Sequence, residues 1–298
     1  MGTTTGRVTA QGAVLDGSVD AIGPLRRSDD AVDDAAELDR RLERDGYLYL
    51  PGYLDREGVL EARHGVLHEL AQLGALAPGS VPEDAIAASS PPRLGILNDA
   101  ARENAALMDV LYGRRMMSFY ERLFGESVRH YDFTWLRALP PGKGTKPHGD
   151  SVFMNRGTTR QLTAWVPLGD VDVVLGGLVV LEGSHRLDEV RSTYGDLDVD
   201  TFCTNADEAR APWDGWISED PRALRTELGL RWLTGDFAAG DLLTFTTYTL
   251  HTSLDNNTDR FRISSDSRYQ RASEPADPRW VGEAPPGHGP GSQRGVIC

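Results

Sequence analysis

A chain of 298 residues with 40% apolar side chains can bury a sizeable core, in one large domain or two small ones. Its net charge of −14 argues against nucleic acid and anionic membrane surfaces as main partners, because both are recognised through clustered positive charge. Its two cysteines, Cys203 and Cys298, form neither a disulfide framework nor a thiolate metal site, and no run reaches the ~18 to 20 apolar residues of a membrane span. With no apolar leader between Met1 and Ala21, a cytoplasmic protein that is not membrane-bound is expected.

Residues 1–30, rich in Gly, Thr and Asp without periodicity, predict a flexible N-terminal tail. From Asp33 the residues Ala36, Leu38 and Leu42 recur at helical spacing as far as Asp45-Gly46, a helix-ending pair. Tyr47 to Leu50 alternates as a short strand into the turn Pro51-Gly52. Asp55 caps a second helix running to about Leu73, with Leu60, Leu67, Leu70 and Leu73 as its apolar face. His64 and His68 lie four apart on it but lack the glutamate of a zinc-protease helix, so they read as partly exposed helix residues. After a loop over residues 75–95, a third helix spans about Glu103 to Phe124, with Leu107, Val110, Leu111, Met117, Tyr120 and Leu123 inward.

Short β-rich runs then follow: Val128 to Leu139, Ser151 to Asn155, Gln161 to Leu168, Leu178 to Leu181, Leu242 to Thr252 and Arg262 to Gln270. The pattern predicts a mainly β barrel or sandwich with flanking helices, one domain over residues 31–273. Between Ser184 and Gly235 no strand is legible. Residues 187–232 of that section read as a lid or insert, whose Trp213 and Trp216 either face a ligand or pack on the barrel wall. Residues 274–298 read as a C-terminal coil.

His148 and Asp150, two apart on an extended segment, face the same way. With His251 from a neighbouring strand they have the composition of the two-histidine, one-carboxylate set that holds Fe(II) on one face and leaves the other open for oxygen and a co-substrate. Alternation places Leu243, Phe245, Thr247, Thr249, His251 and Ser253 on one face. Arg262, on the next strand, offers a bidentate fork for the distal carboxylate of a dicarboxylate co-substrate, and Ser253 a hydroxyl; Arg260 competes for the same role. Further along, Arg262, Ser264, Asp266 and Arg268 give one polar face. That face either contacts a polar substrate or carries an Asp266 to Arg268 ion pair that braces the barrel. Trp135 and Arg137 are additional pocket candidates. A serine hydrolase using Ser184 or Ser253 lacks the G-x-S-x-G elbow, and a cupin-like binding protein without turnover is the main alternative to an enzyme.

Taken together, the strand and helix leading to Asp45-Gly46-Tyr47, His148-Gly149-Asp150, Trp165-Val166-Pro167-Leu168, the run Gly176 to His185, Gly240-Asp241, His251, Ser253, Asn256 and Arg262 resemble the phytanoyl-CoA dioxygenase (PhyH-like) family. The resemblance covers roughly residues 35–273. It implies a double-stranded β-helix, a jelly-roll barrel with helices against one sheet. It also implies His148, Asp150 and His251 as Fe(II) ligands, Arg262 and Ser253 as 2-oxoglutarate contacts, and Trp165 and Thr163 as residues lining the co-substrate pocket. His185 matches a structural Gly-Ser-His turn. Related halogenases lack the iron carboxylate that Asp150 supplies here, so the resemblance implies hydroxylation, or desaturation, cyclisation or epimerisation, using Fe(II), 2-oxoglutarate and O2. The expected substrate is a free small molecule, such as a polar secondary metabolite, rather than a CoA thioester. Oligomeric state is left open.

Overall fold

The computed structural model describes residues 8–15, 18, 20–201 and 213–287. Cys203, Cys298 and residues 202–212 of the expected lid lie outside the described residues.

β1 (Thr9–Ala10) and β2 (Ala13–Val14) form a hairpin, and β3 (Ile22–Pro24) follows it. α1 (Ala35–Asp45) starts at Asp34, whose carboxylate accepts from the Glu37 amide, and stops at Gly46 in the left-handed conformation. β4 (Tyr47–Leu50) leads to α2 (Arg56–Gln72), capped by Asp55. α3 (Asn98–Glu103), α4 (Ala105–Tyr112) and α5 (Arg114–Phe124) replace the single helix expected over Glu103 to Phe124. Asn104 caps α4 through its side chain and Gly113 is extended, so local breaks interrupt an apolar period that continues across them.

β5 (Val128–His130) and β6 (Trp135–Leu139) divide another run expected to be continuous. Then come β7 (Leu162–Pro167), β8 (Leu178–Leu181), α6 (Asp188–Ser192), α7 (Pro221–Leu228), β9 (Trp232–Thr234), β10 (Leu242–Thr246), β11 (His251–Ser253) and β12 (Arg262–Arg271). α6, α7 and β9 lie in the section where no strand was legible.

The larger sheet has the order β4-β10-β7-β12-β5, with β6 also on β12, and the smaller one β11-β8-β9-β3. Period-2 alternation sorts the larger sheet's side chains. Leu162, Ala164 and Val166 of β7, with Ile263 and Tyr269 of β12, join a core with α1, α2, α4 and α5. Trp165, Leu243 and Phe245 face the other way and pack with Leu178, Val180 and Leu233 of the smaller sheet. Two sheets sharing an inner core, with helices on the outside of one, make the jelly-roll barrel that was expected.

Three expectations need correction. The described N-terminal residues are tied to the barrel: Thr9 O accepts from the Asp255 amide, β3 pairs in parallel with β9, and Arg26 makes an ion pair with Asp45. Strands of two or three residues are too short to show a period. Ser151 to Asn155 is no strand; the chain makes a 3-10 helix over Asp150–Phe153. The run Leu242 to Thr252 is two strands in different sheets, so continuous alternation along it does not explain where His251 points.

Candidate metal centre

His148 and His251 are opposed residues of an isolated antiparallel bridge. The His148 amide donates to His251 O at 3.0 Å and the His251 amide to His148 O at 2.8 Å, and the rings lie 4.2 Å apart between centroids. Gly149 is extended and the chain then coils, so Asp150 sits on the first residue of the 3-10 helix rather than on a strand. The two-residue spacing still brings it to the histidines, although by a turn instead of a pleat.

One ligand atom from each of His148, Asp150 and His251 lies within 4.8 Å of the others, and all three residues are buried. His148 donates its Nδ1 hydrogen to Lys146 O at 2.7 Å and His251 its own to Thr249 O at 3.0 Å. Each Nε2 therefore keeps a lone pair for a metal. Burial, aided by the neighbouring His251, pushes the His148 imidazole down to about 3. Burial also lowers His251, against the pull of Asp150, so both rings are neutral at pH 7. For Asp150 burial opposes ionisation, but the Arg268 cation beside it, together with the Thr163 hydroxyl, outweighs burial and holds the carboxyl well below its usual range. Two neutral imidazoles and one carboxylate suit a divalent iron-type ion.

Arg262 is only 2% exposed. Its Nη1 donates to Ser264 Oγ, its Nε has no hydrogen-bond partner, and among the described residues no carboxylate pairs with it. Burial pushes its guanidinium down to about 10. Trp165 lies beside it, 6.0 Å from ring centroid to guanidinium. Arg260 is exposed, so of the two arginines it is Arg262 that lines the cavity with His148, His251, Trp165, Asp266 and Arg268.

Ser253 Oγ accepts from the Thr145 amide at 2.8 Å. Thr163 donates its hydroxyl to Asp150 Oδ2, so it faces the metal carboxylate. Arg268 Nη2 donates to the same oxygen at 2.9 Å, with its guanidinium 4.0 Å over the Trp135 ring. Arg137 donates from Nε to Asp266 at 3.2 Å and is half-buried.

The other histidines fall elsewhere. His64 and His68 are exposed and engage Glu83 and Gln72. His185 packs on Gly46 and donates Nε2 to Glu43 O at 3.0 Å. Ser184 hydrogen-bonds the Leu181 carbonyl and the Leu250 amide, and among the described residues no side-chain base hydrogen-bonds it.

Two residues at the site had no assigned role. Trp216 sets its ring edge to face with His148, 5.0 Å between centroids, and only the concentration of tryptophans in the expected lid hinted at it. The Tyr194 hydroxyl accepts from the Gly149 amide at 2.9 Å and donates to Gly215 O at 2.7 Å, tying the Trp216 loop to the metal segment. Nothing in the sequence pattern marked it.

The model of the family described as phytanoyl-CoA dioxygenase (PhyH) matches residues 42–264. The chain is 27% identical over 253 residues to the 1-deoxypentalenic acid 11-beta-hydroxylase of Streptomyces arenae, covering 81% of this chain and 83% of that one. With the enzyme of the same name from Streptomyces exfoliatus the identity is 26% over the same shares. Among solved structures it resembles the epimerase SnoN in complex with Fe3+, alpha ketoglutarate and nogalamycin RO, with a TM-score of 0.56, 24% identity, and 84% and 87% of the two chains covered. EctD from S. alaskensis, in its apoform, has a TM-score of 0.56 and 20% identity, with 90% and 87% covered. At these identities the structural likenesses speak to the fold. On the family match over most of its length, the chain belongs to the phytanoyl-CoA dioxygenase family, and by class it is a non-haem iron, 2-oxoglutarate-dependent oxygenase.

Proposed function

We propose that this enzyme hydroxylates a C–H bond of a small natural-product molecule, with Fe(II) held by His148 Nε2, Asp150 and His251 Nε2 and 2-oxoglutarate anchored by Arg262. The observation that carries the co-substrate assignment is Arg262 itself, a buried guanidinium in the cavity of the triad that makes no ion pair among the described residues. An uncompensated buried charge is costly, and a carboxylate meeting its free edge relieves that cost while gaining a charge-assisted hydrogen bond. When bound, iron and 2-oxoglutarate supply the oxidising power that removes a substrate hydrogen, with O2 consumed and succinate and CO2 formed.

The chain's own residues do the rest. His148 and His251 are fixed as ligands by their backbone carbonyl partners, so the metal face is set before anything binds. Thr145, which lines the cavity and shares a hydroxyl hydrogen bond with Ser253, is assigned with it to the co-substrate carboxylate, and Trp165 walls that side. Arg137 and Asp266, at the more open side of the cavity, present one donor and one acceptor edge to a polar substrate. Trp216 covers His148 and keeps water from it.

Because the curated relatives are named as hydroxylases of 1-deoxypentalenic acid, that acid and other small carboxylic acids head the substrate panel. The test is turnover of the iron-reconstituted enzyme under isotopically labelled O2, read by mass spectrometry. Label in both product and succinate supports hydroxylation. A product without label, at a mass two hydrogens lower or unchanged, would assign desaturation, cyclisation or epimerisation instead. If no compound stimulated succinate release, the cupin-like binding reading would gain.

A further inference from the structure

Asp150 is held asymmetrically. Its Oδ2 accepts two hydrogen bonds, from Thr163 Oγ1 and from Arg268 Nη2. Its Oδ1 is the oxygen facing His251 Nε2, 3.9 Å away, and among the described residues no hydrogen bond reaches it. The two donors come from directly opposed residues of β7 and β12, since Arg268 pairs with Thr163 in the strand register. Arg268 is itself buried, lies against the Trp135 ring and has Asp266 3.8 Å from its Nη1. Sheet register, ring and second carboxylate thus all fix where its Nη2 points.

We propose that Arg268 and Thr163 are positioning residues that keep Asp150 monodentate, with Oδ1 offered to the metal and Oδ2 withheld. The proposal rests on the iron and 2-oxoglutarate reading above. Three protein ligands leave an octahedral ion three positions, two for a chelating 2-oxo acid and one for oxygen. A carboxylate swinging into bidentate coordination would take one of these. Two hydrogen bonds to Oδ2, one of them from a cation, hold that oxygen away. Arg268 is poorly placed to raise metal affinity as such, because its positive charge repels the ion that Asp150 binds. Its value lies in geometry, so its loss should leave the metal bound and injure the co-substrate.

The test titrates chelator-treated wild type, Arg268→Gln, Arg268→Lys and Thr163→Val with Co(II), then each Co(II)-loaded protein with 2-oxoglutarate, by calorimetry. Circular dichroism and melting temperature check the fold. The expected result for Arg268→Gln is Co(II) affinity equal to or above wild type, with 2-oxoglutarate weakened by about tenfold or more, equivalent to about 1.4 kcal/mol of binding. Thr163→Val should move both in the same direction by less, and Arg268→Lys should recover part of the loss. Weaker Co(II) binding in a folded Arg268→Gln, or unchanged 2-oxoglutarate binding, would overturn the proposal and leave Arg268 a brace. Should Arg268→Gln not fold, Thr163→Val decides by the same criteria. Failure of wild type itself to bind Co(II) or 2-oxoglutarate would instead count against the function proposed above.

Discussion

Arg262 and Arg268 lie on the same strand and face of the barrel, yet their surroundings assign them opposite tasks. Arg268 has acidic neighbours on two sides, Asp150 and Asp266. Arg262 makes no ion pair among the described residues. Arg262→Met should therefore weaken 2-oxoglutarate binding by about ten- to a hundredfold, the worth of ~1.5 to 3 kcal/mol for a hydrogen bond to a charged group. Metal binding should be unchanged, and removing the uncompensated cation should leave the melting temperature equal or higher. Calorimetry on the metal-loaded variant measures the first, and a thermal melt the last. Unaltered co-substrate affinity would move the anchor elsewhere.

At this scale the sequence was most informative about the ligands. Histidine and carboxylate each carry chemistry that few other residues supply, so their types and order pointed to the three residues that the structure brings together. The partners of those groups were less legible. Thr163 was expected to line the co-substrate pocket, yet it donates to Asp150. Hydroxyl direction depends on the register of β7 against β12, which no local pattern encodes.

Among the elements, the junction of α1 and β4 is a tightly constrained turn. Gly46 has φ +79°, and a Cβ there would lie 2.4 Å from His185 Nδ1. Its carbonyl also accepts from Thr249 Oγ1, in the turn that leads to His251. Gly46→Ala should cost about 1–2 kcal/mol for the left-handed backbone alone, read as a drop in the denaturant midpoint, with a further loss from displacing His185. A variant as stable as wild type would mean that the turn relaxes freely.

His185 supplies a pH test of the same junction. Burial holds its imidazole below the usual histidine value. As pH falls, the unfolded chain therefore takes up the proton first. Stability from this residue is whole above the unfolded value of about 6.5 and is lost as pH drops toward the depressed folded one. Melting temperature plotted between pH 7 and pH 5 should fall less steeply in His185→Gln than in wild type. Superimposable slopes would show that other groups take up the protons.

Element types survived the passage from sequence to structure better than their limits did. Caps such as Asp34 and Asp55 and the ending glycine Gly46 are local signals, and α1 and α2 follow them closely. The breaks at Gly113 and after Thr246 are not set by periodicity, because apolar residues continue on both sides while the chain changes direction to reach a different partner. β9 is three residues long and is defined by its neighbours β8 and β3.

Across the whole molecule, the metal set lies where the two sheets are joined. His251 belongs to the smaller sheet, while Thr163 and Arg268, which hold Asp150, belong to the larger. A ligand bound by all three ties the sheets together, and it stabilises only the folded state. At a hundredfold excess over its dissociation constant, such a ligand adds about 2.7 kcal/mol by mass action. That corresponds to a rise of several degrees in melting temperature for a domain of this size. The rise should appear on adding Co(II) to chelator-treated wild type and be absent in His148→Ala.

The barrel class was legible because alternating runs and interrupting turns dominate from Val128 onward, and the site because family-like residues recur in order along most of the chain. The part played by the N-terminal segment was not. Its strand β3 pairs with residues more than two hundred positions away, Ile22 with Trp232, and such pairing leaves no local trace.

The proposed function requires this cavity to hold Fe(II) and 2-oxoglutarate together, through the triad and Arg262. The most direct measurement is anaerobic visible absorbance of the apo-protein on adding Fe(II) and then 2-oxoglutarate, with His148→Ala and Arg262→Met alongside. The account predicts a weak metal-to-ligand charge-transfer band in wild type, no band in His148→Ala, and in Arg262→Met a band that forms only at much higher 2-oxoglutarate. No band in wild type at saturating concentrations of both would contradict it.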